Sequence, residues 1–211
     1  MHLPDGFLSP QLSLPAWAVA APLAAWGARR HFGREAAESL PVLGSLTAAA
    51  FVIQTIMIPV PGGTSVHLTG VTLLALLYGP LAAFVCEGLV LLVQALFFGA
   101  GGITVLPVNA LGMGLLGPLA GWAAWRLLRR RSERVALFVA GWVSTQVAAL
   151  AVAGVLALQH ALDPRIFPVE PAVTLVAMMA PGLSVVGVVE GLYTAFALSL
   201  VRRANLRGVE T

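Results

Sequence analysis

The chain opens MHLPDGFLSP, with His2 beside the α-amine; only three other histidines follow, His31, His67 and His160. An amine, the next backbone nitrogen and an imidazole at position 2 make a tridentate chelate. The Met1 amine and the His2 amide nitrogen close a five-membered ring on a metal, and the amide nitrogen and Nδ1 close a six-membered one. His67, in GGTSVHLTG, would supply a fourth nitrogen. Four nitrogens in a tetragonal plane suit Ni(II) or Cu(II). Ligation requires a deprotonated amine and a neutral imidazole, so affinity should fall with acid. The single cysteine, Cys86, excludes a thiolate-built structural zinc site and any intrachain disulfide. The glycines before His67 would let its segment pack closely into a bundle, and Thr64 or Ser65 would orient an imidazole through its second nitrogen. A solvated terminal residue is the plain alternative for His2. His31 lies in the basic stretch RRHFGRE, and His160 reads as an interfacial residue at a helix end.

The elements that must position these nitrogens are membrane helices. Of 211 residues, 59% are hydrophobic and only 10% charged, and mean hydropathy is +0.92. A soluble domain carries about 25% charged residues. All the cations are arginines, and they bracket apolar runs, which argues for topology and against nucleic-acid binding. The opening stretch lacks the basic-then-apolar order of a cleaved signal, so the expectation is a mature terminus with Met1 retained.

Apolar runs near spanning length fall at 13–28, 41–58, 68–78, 81–98, 103–128, 135–159 and 172–201. Eleven of the twelve arginines form three clusters: Arg29, Arg30 and Arg34; Arg126, Arg129, Arg130, Arg131 and Arg134; and Arg202, Arg203 and Arg207. The positive-inside rule places all three in the cytoplasm, which requires an even number of crossings between the first two. Splitting 68–98 at Tyr78-Gly79-Pro80, where proline disfavours helix, supplies that number. The reading is all-α: one integral membrane domain over 1–211, seven transmembrane helices with a short third, N-terminus outside and C-terminus cytoplasmic. A tail (1–12) and a loop (59–70) carrying His67 then share the outer face.

The opening MHLPDGFLSP and GGTSVHLTG resemble the CbiM/NikM family, the substrate-binding membrane subunits (S components) of energy-coupling-factor transporters for cobalt and nickel. The similarity continues through LLYGPLAAFVCEGLVLLVQALFFGAGGIT, VNALGMGLLGP and VVEGLYTAFAL. The resemblance implies one amino-terminal helix added to a six-helix S-component core. It implies Met1, His2 and His67 as ligands of a transported Ni(II) or Co(II), with no resident cofactor. Asn109 matches a family asparagine that follows the outer glycines, although Pro107 stands in place of small residues there. It further implies a transmembrane coupling (T) subunit, cytoplasmic ATPase subunits, a small accessory membrane subunit, a place in the cell membrane, and use of the metal for cobalamin biosynthesis or a nickel enzyme.

Glu87 and Glu190 fall inside apolar runs, where ionisable groups are rare and suggest function; interhelical hydrogen bonding is the bland reading for them and for Gln54, Gln94 and Gln146. Neither glutamate is expected near the tail. The spacings Gly117-xxx-Gly121 and Gly187-xxx-Gly191 permit close helix contact, most simply inside the protein. There is no GxxxxGK[ST] and no HExxH, so neither ATP hydrolysis nor zincin chemistry is expected of this chain. A stand-alone metal channel or secondary carrier is one alternative; an intramembrane Ser65/His67 hydrolase is a weaker one.

Overall fold

The computed structural model describes residues 2–32, 40–60 and 64–204. Helix α1 is Pro10–His31 and α2 is Leu40–Gln54. A two-stranded antiparallel hairpin follows, β1 (Ile58–Val60) on β2 (Thr64–Val66), with Pro59 opposite Ser65. Helix α3 is Val71–Tyr78 and α4 is Pro80–Phe98. Helix α5 spans 106–128, running Leu106–Asn109, a π-helical stretch Ala110–Leu116, then Gly117–Leu128. Helix α6 is Glu133–Leu162. Helix α7, Pro171–Arg203, contains a second π-helical stretch at Gly182–Val186.

Two boundaries move from the sequence reading. The expected 59–70 loop is half hairpin, because β-branched residues flank the glycines. The tail ends at Ser9 rather than residue 12, because Pro10 pre-sets the helical φ of the first turn. The break at Gly79-Pro80 is present: Gly79 has φ +88, the left-handed side that glycine adopts freely, and Pro80 starts α4.

The exterior is apolar. Phe97 is 76% exposed and Leu127 80% exposed, as lipid contact requires. Helices α4, α6 and α7 are each long and apolar enough to cross a bilayer, and α2 is apolar but shorter. Arginines flank this surface over tryptophan rings, Arg126 over Trp122 and Arg129 over Trp125, each 4.6 Å from the ring centroid. Such belts anchor a helix end at the membrane–water boundary.

Inside, α6 is the axis. A Cβ on Gly117 or Gly121 would lie 2.7 Å from the Ser144 carbonyl oxygen or 2.5 Å from that of Ala140; one on Gly191 would lie 2.6 Å from that of Phe138. These glycines let α5 and α7 lie directly on α6, so both GxxxG spacings serve internal packing. The two ends of the molecule differ. At one, Gly27 near the end of α1 packs on Leu81 and Val85 at the start of α4, close to Arg29 and Arg30, and Arg202 pairs with Glu133. At the other, the tail, the loop after α4 and the α6–α7 loop converge.

Helix α3 has only 8 residues, about 12 Å at 1.5 Å per residue, less than half the ~30 Å hydrocarbon thickness. The segment carrying His67 therefore descends into the bundle before α3 begins. Mid-helix polar groups meet the turn that follows His67 there. Glu190, 0% exposed on α7, accepts hydrogen bonds from Thr69 N, Thr69 Oγ1 and Gly70 N. Gln54 Nε2 donates to Thr69 O (3.0 Å) and to Glu87 Oε2 (2.8 Å).

Candidate metal centre

The tail is a core element. Leu3 is 0% exposed and, with Leu8, joins the main hydrophobic cluster of Phe84, Val105, Met113, Leu156 and Phe167. Burying a leucine side chain from water contributes about 1.5–3 kcal/mol. Polar contacts set the tail's register. Leu3 N donates to Asn109 Oδ1 (3.0 Å), and Asn109 Nδ2 donates to Leu3 O (3.1 Å). Asn109 thus behaves as a one-residue strand partner, and its place in the first turn of α5 brings it under the tail. Asp5 accepts from Ile103 N (3.1 Å), Thr104 N (2.8 Å) and Thr104 Oγ1 (2.5 Å). Burial, the largest single influence on the Asp5 carboxyl, raises it, but the three hydrogen bonds together outweigh burial and hold the group below its usual range. Phe7 packs on Phe167, ring centroids 5.4 Å apart. Ser9 N donates to Gln159 Oε1 (2.8 Å).

The loop after α4 approaches this arrangement most closely through its glycines. A Cβ on Gly102 would lie 2.3 Å from Asp5 Oδ1 and 2.4 Å from Asp5 N, so only glycine fits. Gly101 has φ +82 and faces the His2 ring.

His2 and His67 come together. Their ring centroids are 4.5 Å apart and their planes lie at 81°; the residues are 3% and 2% exposed. His67 Nδ1 lies 2.9 Å from Leu68 O. A carbonyl only accepts, so Nδ1 carries the proton and Nε2 presents its lone pair. The group orienting His67 is thus backbone; Ser65 Oγ donates to Met57 Sδ (3.9 Å), and the Thr64 side chain and Met1 lie outside the described residues. Among the described residues, His67 Nε2 and both ring nitrogens of His2 have no hydrogen-bond partner. Buried polar atoms ordinarily have one. Burial pushes the His2 imidazole down to about 3 and His67 well below its ordinary value; the Ala100 carbonyl near His2 opposes this weakly without making a regular hydrogen bond. Both rings are neutral at pH 7, the form that ligates a metal.

Among the described residues, no group of three His, Cys, Asp or Glu side chains could hold a metal. His160 is elsewhere, with Nδ1 3.0 Å from Phe167 O, and His31 ends α1 at the arginine-bearing end. Sequence reasoning missed Asp5 and Gln159, which look like surface polar residues until the tail is docked. PDG and GAGGIT carried a weak signal, since both are turn chemistry.

The chain has relatives. The probable fused nickel transport protein LarMN of Lactiplantibacillus plantarum is 37% identical over 96% of this chain, which spans 65% of that longer protein. The cobalt transport protein CbiM of Geobacter sulfurreducens is 35% identical over 96% of this chain and 60% of its own length. The crystal structure of a truncated transition metal transporter superposes with a TM-score of 0.90 at 33% identity, covering 97% of this chain and 99% of that one. The model for the cobalt uptake substrate-specific transmembrane region matches residues 2–207; the chain, a helical membrane protein with a buried histidine pair under its docked tail, belongs to the CbiM family.

Proposed function

We propose that this chain is the substrate-capture subunit of an ATP-driven, energy-coupling-factor importer for nickel or cobalt. The observation that carries the reading is the pair of buried, neutral imidazoles, 4.5 Å apart, with three ring nitrogens that have no hydrogen-bond partner among the described residues. The Met1 amine, the His2 amide nitrogen and His2 Nδ1 would chelate from one side, and His67 Nε2 would close a four-nitrogen plane, a geometry favouring Ni(II). Family membership supports metal uptake, and the chain contains no ATP-binding motif, so the energy would come from cytoplasmic ATPase subunits through a transmembrane coupling subunit, with a small accessory subunit beside them. The two dissimilar ends support seven spans, with the tail outside and the arginine end cytoplasmic, in the cell membrane. A Ser65/His67 hydrolase gains no support: Nδ1 of His67 faces a carbonyl rather than a carboxylate, and Ser65 Oγ faces a sulfur.

The test is calorimetric titration of nickel and cobalt into protein with its native terminus. His2→Ala and His67→Ala should each abolish high-affinity binding, and the double variant should lose no more than either alone, because one site is lost in every case. Parental affinity in either single variant would remove that residue from the site.

A further inference from the structure

We propose that Glu190 is the positioning residue that holds His67 in the metal site, which makes α7 the helix to which the nitrogen set is tied. This rests on the reading of His2 and His67 as the capture site. The sequence after His67 is HLTGV, and each residue of the following turn is accounted for. His67 Nδ1 donates to Leu68 O. Thr69 is gripped from both sides: its N–H and hydroxyl donate to Glu190 Oε2 (2.8 Å) and Oε1 (2.9 Å), and its carbonyl accepts from Gln54 Nε2 (3.0 Å). Gly70 N donates to Glu190 Oε1 (2.9 Å). Gly70 sits at φ +67, and a Cβ there would lie 3.5 Å from Ala50 Cα.

One carboxylate therefore gathers three donors within three residues of the metal-facing imidazole. Before His67 the chain is fixed by the β1–β2 pairing, in which Val66 stands opposite Ile58. After His67, and before α3 begins at Val71, the turn is held by hydrogen bonds to Glu190 and Gln54. Glu190 contributes more of that hold, three hydrogen bonds against one. It is 0% exposed and far from His67 in sequence, so its effect on metal binding must pass through the turn. Groups that orient a ligand in this way are typically worth ~10- to 100-fold in metal affinity.

Glu190→Gln is the informative variant. It keeps the shape and one acceptor oxygen, but it turns an NH2 group toward a backbone N–H that is itself a donor. Nickel affinity, measured by calorimetry on native-terminus protein in detergent, should fall ~10- to 100-fold. At saturating nickel the visible absorption maximum should move to longer wavelength and coincide with that of His67→Ala, because water in place of the fourth nitrogen is a weaker-field ligand. In a His67→Ala background, Glu190→Gln should cost less than about twofold more. Thr69→Val, which removes one donor to Glu190 without changing shape, should move affinity and spectrum the same way by a smaller amount, and it carries the test if Glu190→Gln does not fold. Parental affinity in Glu190→Gln beside a normal loss in His67→Ala overturns this inference alone. Lost affinity with the parental spectrum retained also overturns it, as a general structural effect. Parental binding in His67→Ala overturns the capture site itself.

Discussion

Replacing Asn109 by alanine should weaken nickel binding by roughly 10- to 150-fold without unfolding the bundle. Asn109 is 1% exposed and spends its whole amide on one residue of the tail, accepting from Leu3 N and donating to Leu3 O. Alanine leaves both main-chain groups buried and unpaired. Each orphaned group costs about 1–3 kcal/mol, so a tail that stayed docked would lose about 2–6 kcal/mol. Its first residues have a cheaper escape: with Asp5 to Ser9 still held, they can lift away and give up the burial of Leu3, worth about 1.5–3 kcal/mol. The smaller cost governs, giving about 1.5–3 kcal/mol, and 1.4 kcal/mol is tenfold in affinity. The loss falls on metal binding because, in the proposed site, His2 would ligate only from the docked tail, and the apparent Kd scales inversely with the docked fraction. Asn109→Asp should not rescue, since its second oxygen would face the Leu3 carbonyl. The assay is nickel calorimetry on native-terminus protein, with thermal unfolding of the metal-free form alongside. An Asn109→Ala protein that binds nickel within twofold of the parent would refute the account of the tail.

Adding one residue before Met1 should abolish binding in folded protein, because the α-amine becomes an amide and His2 moves to position 3; equal affinity in matched extended and native proteins would take the amine out of the site. Acid should release the tail of the metal-free protein: the His2 pKa falls from 6.5 when exposed to about 3 when buried, so the docked state binds fewer protons, and the stability it holds above pH 6.5 is lost as pH falls toward 3. At pH 5 that loss is about 2 kcal/mol, and hydrogen exchange of residues 1–12, corrected for intrinsic rate, should show it; equal protection at pH 5 and 7 would contradict it. A cysteine at position 80, beside the Gly79 turn, should be labelled only from the cytoplasmic side in intact cells, with native Cys86, 4% exposed, staying silent; labelling from outside would break the seven-span parity.

The membrane class, the break at Gly79-Pro80, the two candidate ligands and the packing role of the spaced glycines were all legible in the sequence. Each is written in local chemistry or in simple counting: a histidine beside an amine, a proline after a glycine, arginines bracketing apolar runs. What the sequence could not show was the depth of the site. That depends on α3 being a half-length helix, and a helix's start is decided by what covers its first turn, here the carboxylate of Glu190 from the far end of the chain. The tail was equally opaque. Its hydrogen-bond partners, Asn109 and Gln159, lie more than 100 residues away, and Gly102 is obligatory only once Asp5 is against it. Residue types name the donors that can bind a metal; only tertiary packing strips water from the two rings, keeps them neutral and brings them to 4.5 Å, because burial and convergence are properties of neighbours and not of the residues themselves.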